Sequence, residues 1–173
     1  MEINWWTTEP RPELSQGDLV EVAPFLQVTQ PLTPLAKVSC SGKVEHWNPL
    51  EPEELKEHVL AKCKTTCAIV ISHDCEIDKP KKKQRILIAA AAPFERLSDH
   101  KAAEAVRKGE HRAFMYLPNP PTLTQDHYLD LRTISAVAIE FLQASRRLAS
   151  LSDSGRTRLG AQLLAFLIRK DEQ

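Results

Sequence analysis

The sequence has no excess charge of either sign, because its 23 lysine and arginine residues balance 23 aspartate and glutamate residues. Without a net field, nothing steers the whole molecule towards nucleic acid or an anionic lipid surface, so any such contact must use a local patch. A run of about 18 apolar residues is also absent, which argues against a membrane-spanning helix. The composition therefore predicts a soluble protein with no membrane partner.

Cysteine is scarce in this chain, which contains four cysteines at irregular spacing. In a chain of this length such a set does not indicate a disulfide framework. The first residues also lack the basic and then apolar plan of a secretion signal. Together these absences predict a cytoplasmic protein with reduced thiols.

Proline is absent after residue 121, although the chain contains 12 prolines. The first part should therefore hold strands and turns, and the last part is free to form a helix. We expect a mainly β fold with α insertions. It would be a small, mostly antiparallel barrel with helices inserted near residues 50–62 and 98–109 and an amphipathic helix at the C-terminus. Residues 1–15 would form an N-terminal arm, and residues 16–173 a single barrel domain.

Local patterns supply the element boundaries. Ser98 is the predicted N-cap of the second inserted helix, and Gly109 its stop. The C-terminal helix should begin at Ser152. Its predicted apolar stripe comprises Leu159, Leu163, Phe166 and Leu167. Apolar patterns predict strands over 19–22, 25–29, 35–40, 67–72, 85–92, 112–117, 128–132 and 134–141, with 67–72 and 85–92 forming a hairpin.

Two tryptophans, Trp5 and Trp6, stand in the predicted arm. They are too apolar to be left in water. Either they pack on the body of the protein, or they contact a partner.

Reactive side chains are concentrated in Ser72-His73-Asp74-Cys75, directly after an apolar strand-like run. Folds often place chemistry where a strand gives way to a loop. His73 is a candidate general acid or base, since histidine titrates in the working pH range. Cys75 is better placed than Ser72 to act with it, because adjacent residues on a strand point to opposite faces. In the alternative interpretation, Ser72 and Asp74 cap a turn through bonds to the backbone.

The same region suggests a metal site, because Cys63, Cys67, His73 and Cys75 carry ligand atoms that zinc prefers. A strand through this segment would hold Cys67 and His73 roughly 20 Å apart, at about 3.3 Å per residue. One zinc ion cannot bridge that distance. Cys67 is better explained as a small buried apolar residue. His73, Cys75 and His46 remain weak candidates; no metal is favoured and no cofactor is expected.

Two further groups could contact nucleic acid. The basic run Lys79, Lys81, Lys82, Lys83 and Arg85 could neutralise phosphates, but no aromatic residue is interleaved for base stacking, so it could equally be a solvated loop. Asp130 and Arg132 share one face of a predicted strand, as an ion pair or as part of a polar site.

Five stretches follow one another along the chain: Gly17-Asp18-Leu-Val-Glu-Val, Ala68-Ile-Val-Ile-Ser-His-Asp, Arg85-Ile-Leu-Ile-Ala-Ala-Ala-Ala-Pro, Tyr128-Leu-Asp-Leu-Arg-Thr-Ile and Ser145-Arg-Arg-Leu-Ala-Ser-Leu-Ser. Their order resembles that of the segments in the MazF/PemK/Kid-like toxin superfamily. It implies a compact SH3-like barrel that commonly forms a homodimer. It also implies metal-independent cleavage of single-stranded RNA and an antitoxin partner.

The chain departs from this family at its catalytic positions. The family commonly has an Arg-Pro pair before the central strand, where this chain has Thr66-Cys67. The family's catalytic Ser or Thr commonly follows the next strand, where this chain has Ala92 before Pro93. Neither position can stabilise a developing charge. The resemblance therefore supports the barrel more than the nuclease.

Three functional hypotheses follow. The leading one is a MazF/PemK-like protein of a prokaryotic toxin–antitoxin or defence system that acts on single-stranded RNA. His73 would then be the acid–base group and Asp74 would orient it. Arg132 would hold phosphate with the Lys81, Lys82, Lys83 and Arg85 run. The second hypothesis is a non-catalytic module that binds a protein or nucleic acid through the same barrel, and the third is a small zinc-stabilised protein.

Overall fold

The computed structural model of the chain describes residues 4–7, 9, 11–27, 62–78 and 85–168. The chain divides into two units, one formed by Met1–Phe25 with Thr65–Gln173 and the other by Leu26–Lys64. The second unit lies almost wholly outside the described residues. The helix predicted near 50–62 lies outside them up to residue 61, and its last residue, Lys62, belongs to a strand and not to a helix. The strand predicted over 35–40, His46 and the lysines from Lys79 to Lys83 also lie outside the described residues.

Within the described residues, six strands form one sheet: β1 (Asp18–Gln27), β2 (Lys62–Val70), β3 (Arg85–Pro93), β4 (Phe114–Leu117), β5 (His127–Ala138) and β6 (Arg147–Ser150). Their order across the sheet is β4-β5-β3-β2-β1-β6. The strands are antiparallel and the sheet curls into a half-barrel. The predicted mainly β, antiparallel class is therefore confirmed. The predicted hairpin is the β2–β3 pair, in which Ala68 lies opposite Ala90.

Several strand boundaries differ from the sequence pattern. The segments 19–22 and 25–27 belong to the single strand β1, and residues 28 and 29 lie outside the described part of the chain. β2 begins at Lys62, before the predicted start at Cys67, and it ends at Val70, before Ser72. The two strands predicted over 128–132 and 134–141 are one strand that ends at Ala138. The prediction is wrong beyond that residue, because Ile139–Ala144 forms helix α3. Glu140 in its first turn suits the positive end of the helix.

Alternation along β3 sorts its side chains between two buried layers. Ala89 and Ala91 face a core that also holds Trp6 and Leu159, so this layer packs on the N-terminal segment and on α4 (Asp153–Leu167). Ile86, Ile88 and Ala90 face a second core, which receives Ile77 from α1 (Asp74–Ile77) and Leu142 from α3. A strand buried on both faces explains the continuous apolar run that marks β3 in the sequence.

The two tryptophans pack on the body of the protein, as the first of the two alternatives predicted. Trp6 is buried, forms a bridge with Leu151 beyond β6, and donates from Nε1 to the carbonyl of Pro118 at 2.6 Å. Trp5 is half-buried against the same core. The N-terminal segment thereby links the β6 edge of the sheet to the end of β4.

Helix α2 (His100–Lys108) begins one residue later than predicted. Its N-cap is Asp99, whose carboxylate accepts from the Lys101 amide at 2.9 Å, so the prediction of Ser98 is wrong. Both serine and aspartate can cap a helix, but here Asp99 has the extended backbone conformation of the N-cap position. Gly109 ends α2 as predicted, with φ of 72° in a region that favours glycine.

Helix α4 begins as predicted, with Ser152 accepting from the Gly155 amide at 3.1 Å. Leu159 is buried, and Leu163 and Phe166 pack against the same core. Leu167 was wrongly assigned to this stripe, since it is 72% exposed. None of the helices in the described part of the chain is long and apolar enough to cross a bilayer.

Candidate nucleic-acid interface

The reactive segment after β2 is a helix start. His73 is the N-cap of α1, and its Nδ1 accepts from the Cys75 amide at 3.2 Å. Ser72 Oγ accepts from the Leu87 amide on β3 at 2.9 Å. A side chain does cap this turn, but it is His73; the predicted caps, Ser72 and Asp74, accept from the amides of Leu87 and Gln16 instead. The His73 ring is exposed and its contact to Cys75 is to the backbone.

Asp74 connects three parts of the chain. Its Oδ1 accepts from the Gln16 amide at 2.6 Å, and its Oδ2 accepts from Arg11 at 3.2 Å and from Arg156 of α4. Burial alone would raise the pKa of Asp74, but these hydrogen bonds and the two arginines outweigh burial and hold the pKa below its usual value. The hydrogen bonds of Asp74 thus go to the N-terminal segment and α4, and not to His73.

A second carboxylate, Asp18, is completely buried beside this network. It accepts from the Ser15 amide at 2.8 Å and from Ser150 Oγ at 2.6 Å, and it pairs with Arg147 at 3.3 Å. Burial raises the pKa of Asp18, and these partners only partly offset that effect. Arg147 also donates to the carbonyls of three arm residues, so the pair fastens the N-terminal segment to β6.

A polar cavity of about 230 Å³ lies between the N-terminal segment and the start of α4. Arg11, Arg156 and Asp153 contribute its charged lining, together with Glu9. The polar groups of this cavity bond largely to each other: Arg11 lies 3.8 Å from Asp153, and both arginines reach Asp74. Its charges are balanced, so the cavity has no strong preference for an anion or a cation.

The described residues contain no group of three His, Cys, Asp or Glu placed to hold a metal ion. Cys67 is half-buried and packs against the core beside Trp6 and Leu159. Burial raises the pKa of its thiol. The small apolar role predicted for Cys67 therefore agrees with the structure, whereas His46 lies outside the described part of the chain.

Asp130 and Arg132 form the ion pair that the sequence suggested, and they organise a bulge. Between Ala90 and Ala89 of β3, the register on β5 jumps from Asp130 to Ile134. Asp130 Oδ1 accepts from the Arg132 amide at 2.9 Å and from its Nε at 3.1 Å, while Oδ2 accepts from Nη2 at 3.2 Å. The carboxylate thus satisfies backbone and side chain within the bulge. Arg132 is still 61% exposed.

The Arg132 guanidinium lies over an aromatic ring, with its central carbon 4.3 Å from the centroid of Phe114. Phe114 in turn meets Tyr128 edge-on at 5.0 Å. The other side of this group repeats the arrangement: Arg107 of α2 lies 4.5 Å from the centroid of Phe94 and 5.3 Å from that of Tyr116. Since Tyr116 and Tyr128 are opposite each other on β4 and β5, the two halves adjoin.

We call this group the arginine–aromatic cluster. Its members are Phe94, Arg107, Phe114, Tyr116, Tyr128 and Arg132. Sequence reasoning selected only Arg132 among them. The others come from four separate elements, and no local spacing in the sequence joins them.

Carboxylates fix the positions of both arginines. Asp126 accepts from the Tyr116 hydroxyl and lies 3.7 Å from Arg107. Burial, together with the hydrogen bond to Asp126, raises the pKa of Tyr116 to about 12. Tyr116 therefore stays a neutral phenol at any physiological pH. Arg107 is 55% exposed, so like Arg132 it presents a planar cation to solvent from a fixed position.

Arg85, the described member of the basic run, is exposed at the start of β3. Its Nη1 donates to the carbonyl of Ala136 at 3.4 Å. No described contact joins Arg85 or His73 to Arg132, so the predicted catalytic and phosphate-holding residues do not form one cluster in the described structure.

Comparison with known proteins assigns no family to the chain: no protein-family model matches it, and no curated protein matches it at a significant level.

Proposed function

We propose that this chain binds single-stranded RNA through the arginine–aromatic cluster. The observation that carries the proposal is that Arg107 and Arg132, 55% and 61% exposed, each place the guanidinium over an aromatic ring of one continuous cluster. Exposed guanidinium planes can pair with phosphate and stack on bases, and single-stranded nucleic acid is recognised by this combination of cationic and aromatic groups.

The fixed geometry favours a binding role. Asp130 occupies Nε and Nη2 of Arg132, which leaves the Nη1 side for a phosphate. Because each guanidinium is already held by a ring and a carboxylate, little side-chain freedom is lost on binding. Each arginine of the cluster is paired with a carboxylate, so the proposed binding rests on guanidinium stacking and hydrogen bonding more than on net charge.

The family proposal rests on the fold and on the resemblance already described. A curled antiparallel sheet followed by a C-terminal helix is compatible with a MazF/PemK-like, SH3-like barrel. We therefore propose a protein of a toxin–antitoxin or defence system with an antitoxin-like protein partner. Within that class, the substituted catalytic positions favour the binding module over the nuclease.

The binding test uses Arg107→Lys and Arg132→Lys, which keep the charge and remove the planar group. Fluorescence anisotropy with a labelled single-stranded RNA should show a loss of about fivefold or more in affinity for each variant, because a stacked base contributes about 1–3 kcal/mol. Arg146→Lys is the matched control, since Arg146 is 70% exposed and pairs only loosely with Glu21 at 3.8 Å. Equal affinities for all four proteins would refute the proposal.

RNA cleavage at His73 is a second candidate function, favoured by one observation. The exposed His73 ring uses Nδ1 to cap α1, which leaves Nε2 as the atom for proton transfer. Cleavage of a labelled single-stranded RNA pool in EDTA tests it. His73→Asn retains a capping side chain and removes the imidazole, and His100→Ala is the matched control on an exposed histidine. If the wild type and His100→Ala cleave the RNA and His73→Asn does not, cleavage by His73 is supported. If His73→Asn also cleaves the RNA, His73 is excluded as the catalytic group.

A further inference from the structure

A small cavity adjoins the arginine–aromatic cluster. Residues of α2, β4, α4 and the N-terminal segment line it, and its volume is about 220 Å³. We call it the α2–α4 cavity. Arg107 and Tyr116 belong both to its lining and to the cluster, and Trp5 adds a second aromatic ring. An RNA strand bound to the cluster could therefore reach the cavity with one of its ends.

The charged side chains that line the α2–α4 cavity are all cations. They are Arg107, Lys108 and Arg158, and no described acidic residue belongs to the lining. Arg107 lies 3.7 Å from Asp126, and Lys108 lies 2.7 Å from Glu104. Among the described residues no carboxylate forms an ion pair with Arg158, whose hydrogen bond goes to a backbone carbonyl. Three cations and two carboxylates thus leave an excess of one positive charge beside the cavity.

The end of α2 accounts for only part of this charge. A helix C-terminus carries roughly half a negative charge, and cations in the last turn are favourable there. Arg107 and Lys108 occupy that turn, but both already have carboxylate partners. The charge of Arg158, which comes from α4, is larger than that of the helix end. Positive charge therefore remains for an anionic ligand.

The position of Arg158 is fixed against the backbone at the end of α2. The side chain is half-buried, and its Nη2 donates to the Gly109 carbonyl at 3.2 Å. The guanidinium occupies the space beside this glycine, since a Cβ added to Gly109 would collide with Nη2. A guanidinium has five N–H donors, and this contact uses one of them. The others suit the oxygens of a phosphate, which a guanidinium can bind through two parallel hydrogen bonds.

We propose that the α2–α4 cavity binds a terminal phosphate monoester of the RNA strand, with Arg158 as its main ligand and Lys108 as a second cation. The inference rests on RNA binding by the arginine–aromatic cluster, which supplies the strand. Lys108 can change partner, because its pair with Glu104 is exposed and such pairs contribute little to stability.

Charge and size both favour a chain end over an internal nucleotide. A phosphate monoester carries about 1.5–2 negative charges at pH 7, whereas an internal phosphodiester carries one. The monoester therefore gains more from two neighbouring cations. At about 220 Å³, the cavity is smaller than the roughly 300–1,000 Å³ of typical small-molecule sites. It can hold one end group, and not a run of nucleotides.

Internally labelled RNAs of one sequence test the inference by fluorescence anisotropy. They carry a 5′-phosphate, a 3′-phosphate or only hydroxyl ends. One phosphorylated RNA should bind at least about tenfold more tightly than the hydroxyl RNA, or about 1.4 kcal/mol, because the charge-assisted bonds in the cavity need the monoester. Arg158→Gln should remove this preference, and Lys108→Gln should reduce it.

Lys101→Gln is the matched control, because it removes the same charge from an exposed position on α2, about two turns earlier. It should keep the preference for the phosphorylated RNA. Circular dichroism checks that each variant folds. If Arg158→Gln does not fold, the exposed Lys108 decides, and an unchanged preference in Lys108→Gln would then overturn the inference.

Failure of the inference and failure of RNA binding give different results. Equal affinities for phosphorylated and hydroxyl RNA, or a preference that survives Arg158→Gln, would overturn the cavity assignment and leave RNA binding intact. If no RNA binds, calorimetry with adenosine 5′- and 3′-monophosphate against adenosine tests the cavity alone. Monophosphate binding that Arg158→Gln abolishes would support a phosphate site, and no binding would overturn it. A free monophosphate that binds more tightly than the phosphorylated RNA would overturn the RNA end as the source of the phosphate.

Discussion

Replacing Asp74 with asparagine should destabilise the protein, because one carboxylate ties the N-terminal segment, the end of β2 and α4 together. The asparagine oxygen can still accept from the Gln16 amide. The negative charge that Arg11 and Arg156 share is lost. Arg156, only 16% exposed, then keeps its charge without its carboxylate partner.

The magnitude follows from the exposure of each pair. A hydrogen bond to a charged group contributes about 1.5–3 kcal/mol net, and this range applies to the Arg156 contact because that guanidinium is largely withdrawn from water. Arg11 is 55% exposed, so its ion pair adds at most about 0.5 kcal/mol. We therefore expect Asp74→Asn to lower the free energy of unfolding by about 2–3 kcal/mol. At this chain length that corresponds to a fall in Tm of roughly 4–12 °C.

The effect should depend on pH with a definite sign. The pKa of Asp74 is lower in the folded protein than its usual value, so the folded state binds this proton less readily than the unfolded state. The stabilisation is therefore present above the unfolded pKa of about 3.9 and is lost as pH falls through the folded pKa. The difference between wild type and Asp74→Asn should be constant from about pH 5 to 7 and shrink below about pH 4.

Urea unfolding at several pH values measures this difference, with Glu21→Gln as control. Glu21 carries an exposed carboxylate paired with Arg146 at 3.8 Å, so the control should change stability by less than about 0.5 kcal/mol. If Asp74→Asn matched the control at pH 7, the Asp74 network would not hold the segment in place. A difference that grew on acidification would show that the direction of the pKa shift is wrong.

Three smaller predictions concern the same unit. Asp18→Asn should show the opposite pH dependence, because burial raises the pKa of Asp18. The wild type should exceed the variant in unfolding free energy most at acid pH, and this difference should shrink as pH rises through the folded pKa. Urea unfolding at several pH values measures it. Trp6→Phe should keep the packing and lose the hydrogen bond to Pro118, lowering the unfolding free energy by about 1 kcal/mol; an unchanged midpoint would contradict this. Gly109→Ala should cost about 1–2 kcal/mol, because φ is 72° and an added Cβ would displace the Arg158 guanidinium, which donates to the Gly109 carbonyl; an unchanged midpoint in a thermal scan would contradict this.

The strands were predictable where the apolar pattern fits only a strand, and less so where the same spacing of apolar residues fits both a strand and a helix. β3 lies close to its expected position because it is an apolar run bounded by polar residues. β2 begins at Lys62, earlier than the predicted Cys67, because its first residues are polar and carry no apolar pattern. The end of β5 was misplaced because Val137, Ile139 and Phe141 alternate as a strand would. The chain nevertheless turns into α3 after Ala138. Alternation alone cannot locate such a boundary, since short apolar segments fit both periods.

The candidate sites show a similar division. His73 and Asp74 stand out in the sequence, but the partners of Asp74 are 63 and 82 residues away in the chain, at Arg11 and Arg156. Local reasoning therefore finds the residues and misses their connections. The ion pair of Arg132 with Asp130 could be predicted from the sequence, because the two residues are two positions apart. The contact of Arg132 with the Phe114 ring could not, because it depends on the pairing of β4 with β5.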